Sequence, residues 1–138
     1  MKPITRGWLS RAKEDLEVVE RIIDAAHLIN IVAFHCQQTI EKTFKSVIEE
    51  NGDEVPGIHN LVRLYNLIKN RLAVKIDELV LKEISDVYIE ARYPGELGLL
   101  PYGIPTIEDA QRFYNIAQTV YFNIKEQLNQ LEGKIKQT

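Results

Sequence analysis

The chain has 138 residues, of which 45% are apolar and 27% charged, with a formal net charge of -3. That length holds one domain with one core, and the balance excludes both a disordered chain and a broadly basic nucleic-acid-binding protein. A single cysteine, Cys36, excludes an internal disulfide and a four-cysteine zinc site, and it suits a reducing, cytoplasmic setting.

The opening residues, Met1 to Arg6, lead into a charged segment without the apolar stretch of a signal peptide. A first helix is expected from Thr5 to Ala26, because Trp8, Ala12, Leu16, Val19, Ile23 and Ala26 recur at three- and four-residue steps. Arg11, Glu14, Glu17 and Arg21 fall on its solvated side. A second helix is expected from Leu28 to Glu50, with Ile29, Val32, Ala33, Cys36, Ile40, Phe44, Val47 and Ile48 as its core stripe. Asn51-Gly52 ends it, since both residues tolerate a left-handed cap. A third, from Asn60 to Leu72, turns Leu61, Leu64, Tyr65, Ile68 and Leu72 inward and is capped by Asn60 or His59. A fourth begins near Asp77, carries Val80, Ile84, Val87, Tyr88 and Ala91, and must stop around Arg92-Tyr93 because Pro94 follows.

Pro94 to Pro105 holds three prolines and three glycines and is expected to be a long loop, near residues 93–105. Its leucines, with Tyr102 and Ile104, make it more apolar than a solvated loop, so it should pack on the protein or on a partner. The last helix starts at a capping-box spacing, Thr106 to Asp109, and its stripe runs from Ala110 through Phe113, Tyr114, Ala117, Val120, Tyr121, Ile124 and Leu128 to Leu131. No segment alternates like a strand. The expectation is therefore one all-α domain over residues 1–138, an up-and-down antiparallel bundle of four to five helices. No apolar run approaches the ~18–20 residues of a membrane span, and no membrane association is expected.

Some residues are left over. Val18 and Ile22 on the first helix, and Ile31 and Phe34 on the second, lie off the core stripes; they are either scattered surface hydrophobes or a second packing surface, most simply that of a two-fold homodimer. His35-Cys36 is a poor metal pair, because neighbours on a helix point about 100° apart, and no metal or cofactor is expected. Ser10 and Cys36 lack the surroundings of an activated nucleophile, and the acids mostly share solvent faces with Lys or Arg. Arg92 ends a helix and opens the long loop. It can serve as a cation at a helix C-terminus, or as a clamp on phosphate or carboxylate, with Tyr93 and Tyr102 supplying rings for base stacking.

The string Ala33-Phe34-His35-Cys36-Gln37-Gln38-Thr39-Ile40-Glu41-Lys42-Thr43-Phe44-Lys45, then His59-Asn60-Leu61, then Tyr88-Ile89-Glu90-Ala91-Arg92-Tyr93-Pro94, resembles the HEPN family in content and order. Trp8, Ala12, Asp15 and Leu16 fit the same pattern upstream. The resemblance implies the same helical bundle, a homodimer, and a partnership with a minimal nucleotidyltransferase. It also implies that His59 and Lys42 border the groove of Arg92, where a nucleotide or other phosphate would bind. Ribonuclease members of the family carry Arg, four to six residues, then His. Here the positions after Arg92 that would hold the histidine are Leu97, Gly98 and Leu99, and no histidine follows His59. Arg21 and His27 match the spacing but lie at the end of the first helix. What the resemblance then implies is a non-catalytic module that binds a partner nucleotidyltransferase and a nucleotide. The alternative it leaves is a ribonuclease toxin of a toxin–antitoxin pair, acting on RNA through another base.

Overall fold

The fold follows from a computed structural model that describes residues 1–92 and 104–137, with side chains for 1–88 and 104–133. Among the described residues there are five α-helices and no strand. Helix α1 (Pro3–Ile22) opens with proline at its first position, where a missing N–H costs no helical bond. Its buried face is Leu9, Ala12, Leu16 and Val19. It stops four residues short of the expected Ala26. The Ala25 N–H donates to the Ile22 carbonyl at 2.9 Å, and Ala26–Leu28 forms a separate 3-10 turn. Asp24-Ala25-Ala26 contains no glycine or proline to mark the break; the chain turns because α2 has to run back along α1.

Helix α2 (Ile29–Glu50) is the axis of the bundle and packs against each of the other four helices. Its antiparallel course along α1 is set out by three contacts. The Thr5 hydroxyl donates to the Glu50 carboxylate at 2.9 Å, Asp15 meets His35 at 2.8 Å, and the Thr39 hydroxyl donates to the Ala12 carbonyl at 3.4 Å. Burial pushes the Glu50 pKa up, but hydrogen bonds from the Lys2 backbone and the Thr5 hydroxyl outweigh it and hold the carboxyl below its ordinary value. A carboxyl lowered on folding stabilises at neutral pH, and that contribution is lost as pH falls through its folded pKa. The expected Asn51-Gly52 stop is a Schellman cap. Gly52, at φ 83°, donates to the Glu49 carbonyl at 3.0 Å, and the Asp53 N–H donates to that of Ile48 at 3.3 Å.

Helix α3 (Leu61–Ile68) is capped by Asn60, whose side-chain oxygen accepts the Arg63 N–H at 3.0 Å. A 3-10 turn, Lys69–Arg71, completes the segment expected to run to Leu72. The Gln127 side chain ties down the chain beyond it, donating to the Arg71 carbonyl at 2.6 Å and accepting the Ala73 N–H at 2.8 Å. Helix α4 (Glu78–Arg92) buries Leu81, Ile84 and Val87, and Leu81 takes the place expected of Val80, which is half-buried.

Helix α5 (Ile107–Gln137) starts at the expected box. The Asp109 N–H donates to the Thr106 hydroxyl at 3.2 Å, and the Thr106 N–H donates back to the Asp109 carboxylate at 2.8 Å. It runs antiparallel to α1, since Arg6 meets Glu132 at 2.7 Å and Tyr114 meets Glu20 at 3.3 Å. Its buried stripe ends at Leu128; Leu131, expected inside, is 47% exposed. No helix among the described residues is long and apolar enough to cross a membrane.

Candidate functional site

The polar residues of α2 do not sit on a solvent face. Gln37, Glu41 and Lys45 follow one another at four-residue steps, one turn apart on a single side of the helix, and all three are buried. Glu41 is the hub. One carboxylate oxygen accepts from the Gln37 amide at 3.1 Å and meets Nδ1 of His59 at 3.0 Å, while the other pairs with the Lys45 ammonium at 3.2 Å. The Gln37 amide also donates to the His59 carbonyl at 2.8 Å, and Gln38 donates to the Gln37 oxygen at 2.7 Å. The Lys45 ammonium lies 5.7 Å from the centre of the Trp8 ring, so its second neighbour is an aromatic face. Buried charges persist when paired and hydrogen-bonded, and the arrangement meets that condition at both ends.

A second carboxylate, Asp15 of α1, serves the adjacent side of α2. It meets Nδ1 of His35 at 2.8 Å through one oxygen and Nζ of Lys42 at 2.6 Å through the other. His35 and Lys42 are seven residues, two helical turns, apart, so one acid between the turns reaches both. The His35 ring stands edge-on to Phe34, with centroids 5.1 Å apart, and Phe34 in turn stacks on Tyr88 of α4 at 5.4 Å. In both pairs the carboxylate fixes the ring through Nδ1. A neutral imidazole held that way carries its proton on Nδ1 and keeps a lone pair on Nε2. His35 is partly covered, whereas the His59 side chain is 59% exposed. Beside it a small cleft of about 110 Å3 is lined by His59, Asn60, Ser85 and Tyr88, where the start of α3 meets α4.

Of the residues singled out from the sequence, His59 and Lys42 both stand along α2, but on different acids: His59 on Glu41, Lys42 on Asp15. Arg92 is the last residue of α4, and its side chain lies outside those described; Tyr93 and Tyr102 lie outside the described residues altogether. The reading of the acids as solvated needs correction for Asp15 and Glu41, which are buried. Glu41 and Lys45, which lie off the expected core stripe of α2, are likewise buried. Asp15 and Glu41 were therefore missed as organisers. The signal for Glu41 was the compact Gln-Gln-x-x-Glu-Lys string, which packs more polar groups into two turns than a core-facing helix carries without partners; that for Asp15 was its place in the upstream pattern of Trp8, Ala12 and Leu16. Cys36, expected to be a buried thiol, is fully buried, and that burial pushes its pKa well above the ordinary thiol range.

Of the off-stripe hydrophobes, Val18 and Ile31 are exposed. Ile22 packs half-buried against the core, and Phe34 is half-buried on Tyr88.

A family model for the HEPN domain matches residues 5–127. A protein of Methanocaldococcus jannaschii named "Putative toxin MJ1304" is 30% identical over 137 residues, a stretch covering 91% of this chain and 89% of that protein. Among solved structures, TT1696 from Thermus thermophilus aligns with a TM-score of 0.67 at 22% identity, over 88% of this chain and 96% of its own. ST0689, described as an archaeal HEPN homologue, aligns with a TM-score of 0.62 at 24% identity, over 92% and 98%. At those identities the two structures speak to the helical architecture alone.

Proposed function

We propose, from the premise that this chain belongs to the HEPN family, that it is a non-catalytic binding module of the cytoplasm: it docks a minimal nucleotidyltransferase and holds a nucleotide in a groove that we assign to the region between α2 and α4, bordered by Lys42, His59 and Arg92. The observation that carries the reading is the sequence after Arg92. Where family ribonucleases place a histidine, the chain has Leu97, Gly98 and Leu99, so the proton-transfer group near pH 7 is missing from its usual place. In this reading the phosphate-binding chemistry comes from Lys42 and His59, which stand along α2 on Asp15 and Glu41, together with Arg92, Tyr93 and Tyr102 of the sequence. Lys42 is already paired with Asp15, so a phosphate there competes with a carboxylate rather than meeting a bare cation.

One observation favours a second reading, a ribonuclease toxin. The His59 imidazole is oriented by Glu41 and largely exposed, as a general base would be, and the name of the Methanocaldococcus relative points the same way. The two readings part on RNA. The purified chain is expected to leave structured and unstructured RNA intact while binding ATP, GTP or AMP in titration calorimetry, and Arg92→Ala is expected to abolish that binding with little change in melting. RNA cleavage that disappears in His59→Ala or Arg92→Ala would establish the toxin reading instead; loss in His27→Ala would point to the Arg21–His27 spacing.

The proposed assembly includes a homodimer through the apolar residues of α1 and α2. Val18 and Ile31 are its exposed members. Because Phe34 packs on Tyr88, Ile31→Asp is a cleaner probe than Phe34→Asp. Light scattering at tens of micromolar should give a dimer for the parent chain and a monomer for Ile31→Asp; a monomeric parent would end the proposal.

A further inference from the structure

On the side of α1 turned toward α5 lies a cleft of about 390 Å3, remote in sequence from the residues of the α2–α4 groove. Its floor is the buried ring of Tyr121. Two ammonium groups, one from each helix, lie near that ring, and Lys13 is also 5.1 Å from the centroid of Phe122. Lys13 of α1 lies 5.9 Å from its centroid and Lys125 of α5 lies 5.7 Å from it. Among the described residues neither lysine forms an ion pair, whereas the other two cations of the lining, Arg6 and the Met1 ammonium, are taken up by Glu132 at 2.7 and 3.3 Å. Of the two acids in the lining, Glu14 pairs with Arg11 at 3.4 Å, and Glu17 remains as the one competitor inside.

An aromatic face attracts ammonium groups without neutralising them. Two like charges lining one cleft repel each other, and an oxyanion bound in that cleft offsets the repulsion while gaining an attraction to each. The Ser10 hydroxyl in the same lining adds a neutral donor. A phosphate fits these groups better than a single carboxylate, because it brings two charges to two cations and enough oxygens for all the donors. An extended polyanion fits worse. The chain is acidic overall, at -3, and Glu17 stands in the cleft, so favourable charge is confined to a space the size of a small molecule.

We propose that this α1–α5 cleft binds the phosphate group of a small phosphorylated molecule, gripped by Lys13 and Lys125. The site is separate from the α2–α4 groove and does not rest on the reading of that groove. Its test is titration calorimetry of the full chain with inorganic pyrophosphate at low ionic strength. Saturable binding is expected, weakened about tenfold or more in the Lys13→Gln/Lys125→Gln double variant. Glu17→Gln is expected to tighten it a few-fold, a gain that a damaged fold cannot produce. Arg92→Ala should leave it unchanged, which keeps this outcome apart from that of the groove. In parallel titrations of the Arg92→Ala variant, which lacks the proposed groove site, ATP binding tighter than inorganic triphosphate and lost in the added lysine double variant would identify the ligand as a nucleotide, and equal affinities would identify a phosphate chain alone; both support the site. Three results overturn it: no saturable pyrophosphate binding at millimolar ligand, binding indifferent to the double lysine variant, or tighter binding of an RNA oligonucleotide lacking terminal phosphates.

Discussion

Glu41→Ala is expected to cost about 3–5 kcal/mol of folding stability, the range for breaking a buried ion pair from one side. The size follows from what the carboxylate holds. Lys45 is 5% exposed and has Glu41 as its ion-pair partner at 3.2 Å, so truncation strands an ammonium inside the bundle. Gln37 and His59 lose an acceptor in the same step. The comparison that isolates the mechanism is the double variant Glu41→Leu/Lys45→Met. Removing both charges leaves no uncompensated ion, and apolar replacements of buried pairs are often neutral or stabilising, so this variant should lie well above the single one and near the parent. Urea unfolding measures all three, with the shift appearing in the midpoint and the slope unchanged. A double variant as unstable as Glu41→Ala would show that the pair contributes through shape and hydrogen bonding rather than through charge balance.

The second large effect is expected at Phe44. It is fully buried on α2, with its ring 6.0 Å from that of Tyr65 on α3. Phe44→Ala removes an aromatic side chain from a helix that touches all the others, and the neighbouring helices are too constrained to close the void. The expected loss is about 3–5 kcal/mol. The matching control is Leu131→Ala at the exposed end of α5, expected to fall within about 0.5 kcal/mol of the parent. If both variants unfold at the same urea midpoint, the core of the bundle does not lie where Phe44 places it.

How far the sequence could be read depended on whether a signal was local. The caps at Asn51-Gly52, Asn60 and Thr106 were readable because each rests on residues within a few positions of one another, and all three form. The inward stripes of α2, α3 and α5 were readable because burial repeats with the helix period; that of α1 was readable at Ala12, Leu16 and Val19, whereas Leu9 is buried in place of Trp8 and Ala26 is exposed. The end of α1 was not readable, since nothing between Ile23 and Ala26 distinguishes a turn from a continuing helix. Nor was the fate of Leu131, because periodicity tells which face is apolar and not where the neighbouring helix stops. At the candidate site the sequence pointed to His59 and Lys42 but not to the acids that hold them. Asp15 lies 27 positions from Lys42 and 20 from His35, and Glu41 lies 18 from His59. Partnerships at such separations arise only when the helices have packed, so a carboxylate that organises a site looks in sequence like any other exposed acid.

The path of α5 bears on the order in which the bundle assembles. Contacts between α1 and α2 join residues about 20 to 45 positions apart, whereas Arg6 and Glu132 are separated by 126. Closing a short loop costs less entropy than closing a long one, and local pairings form sooner. The α1–α2 hairpin can therefore dock while the chain is still being synthesised, with Asp15 already set between His35 and Lys42. Until α5 follows, the hairpin exposes the apolar surface that Phe113, Ala117, Val120 and Ile124 will cover. The nascent chain is thus at its most adhesive in the interval between completing α2 and releasing α5.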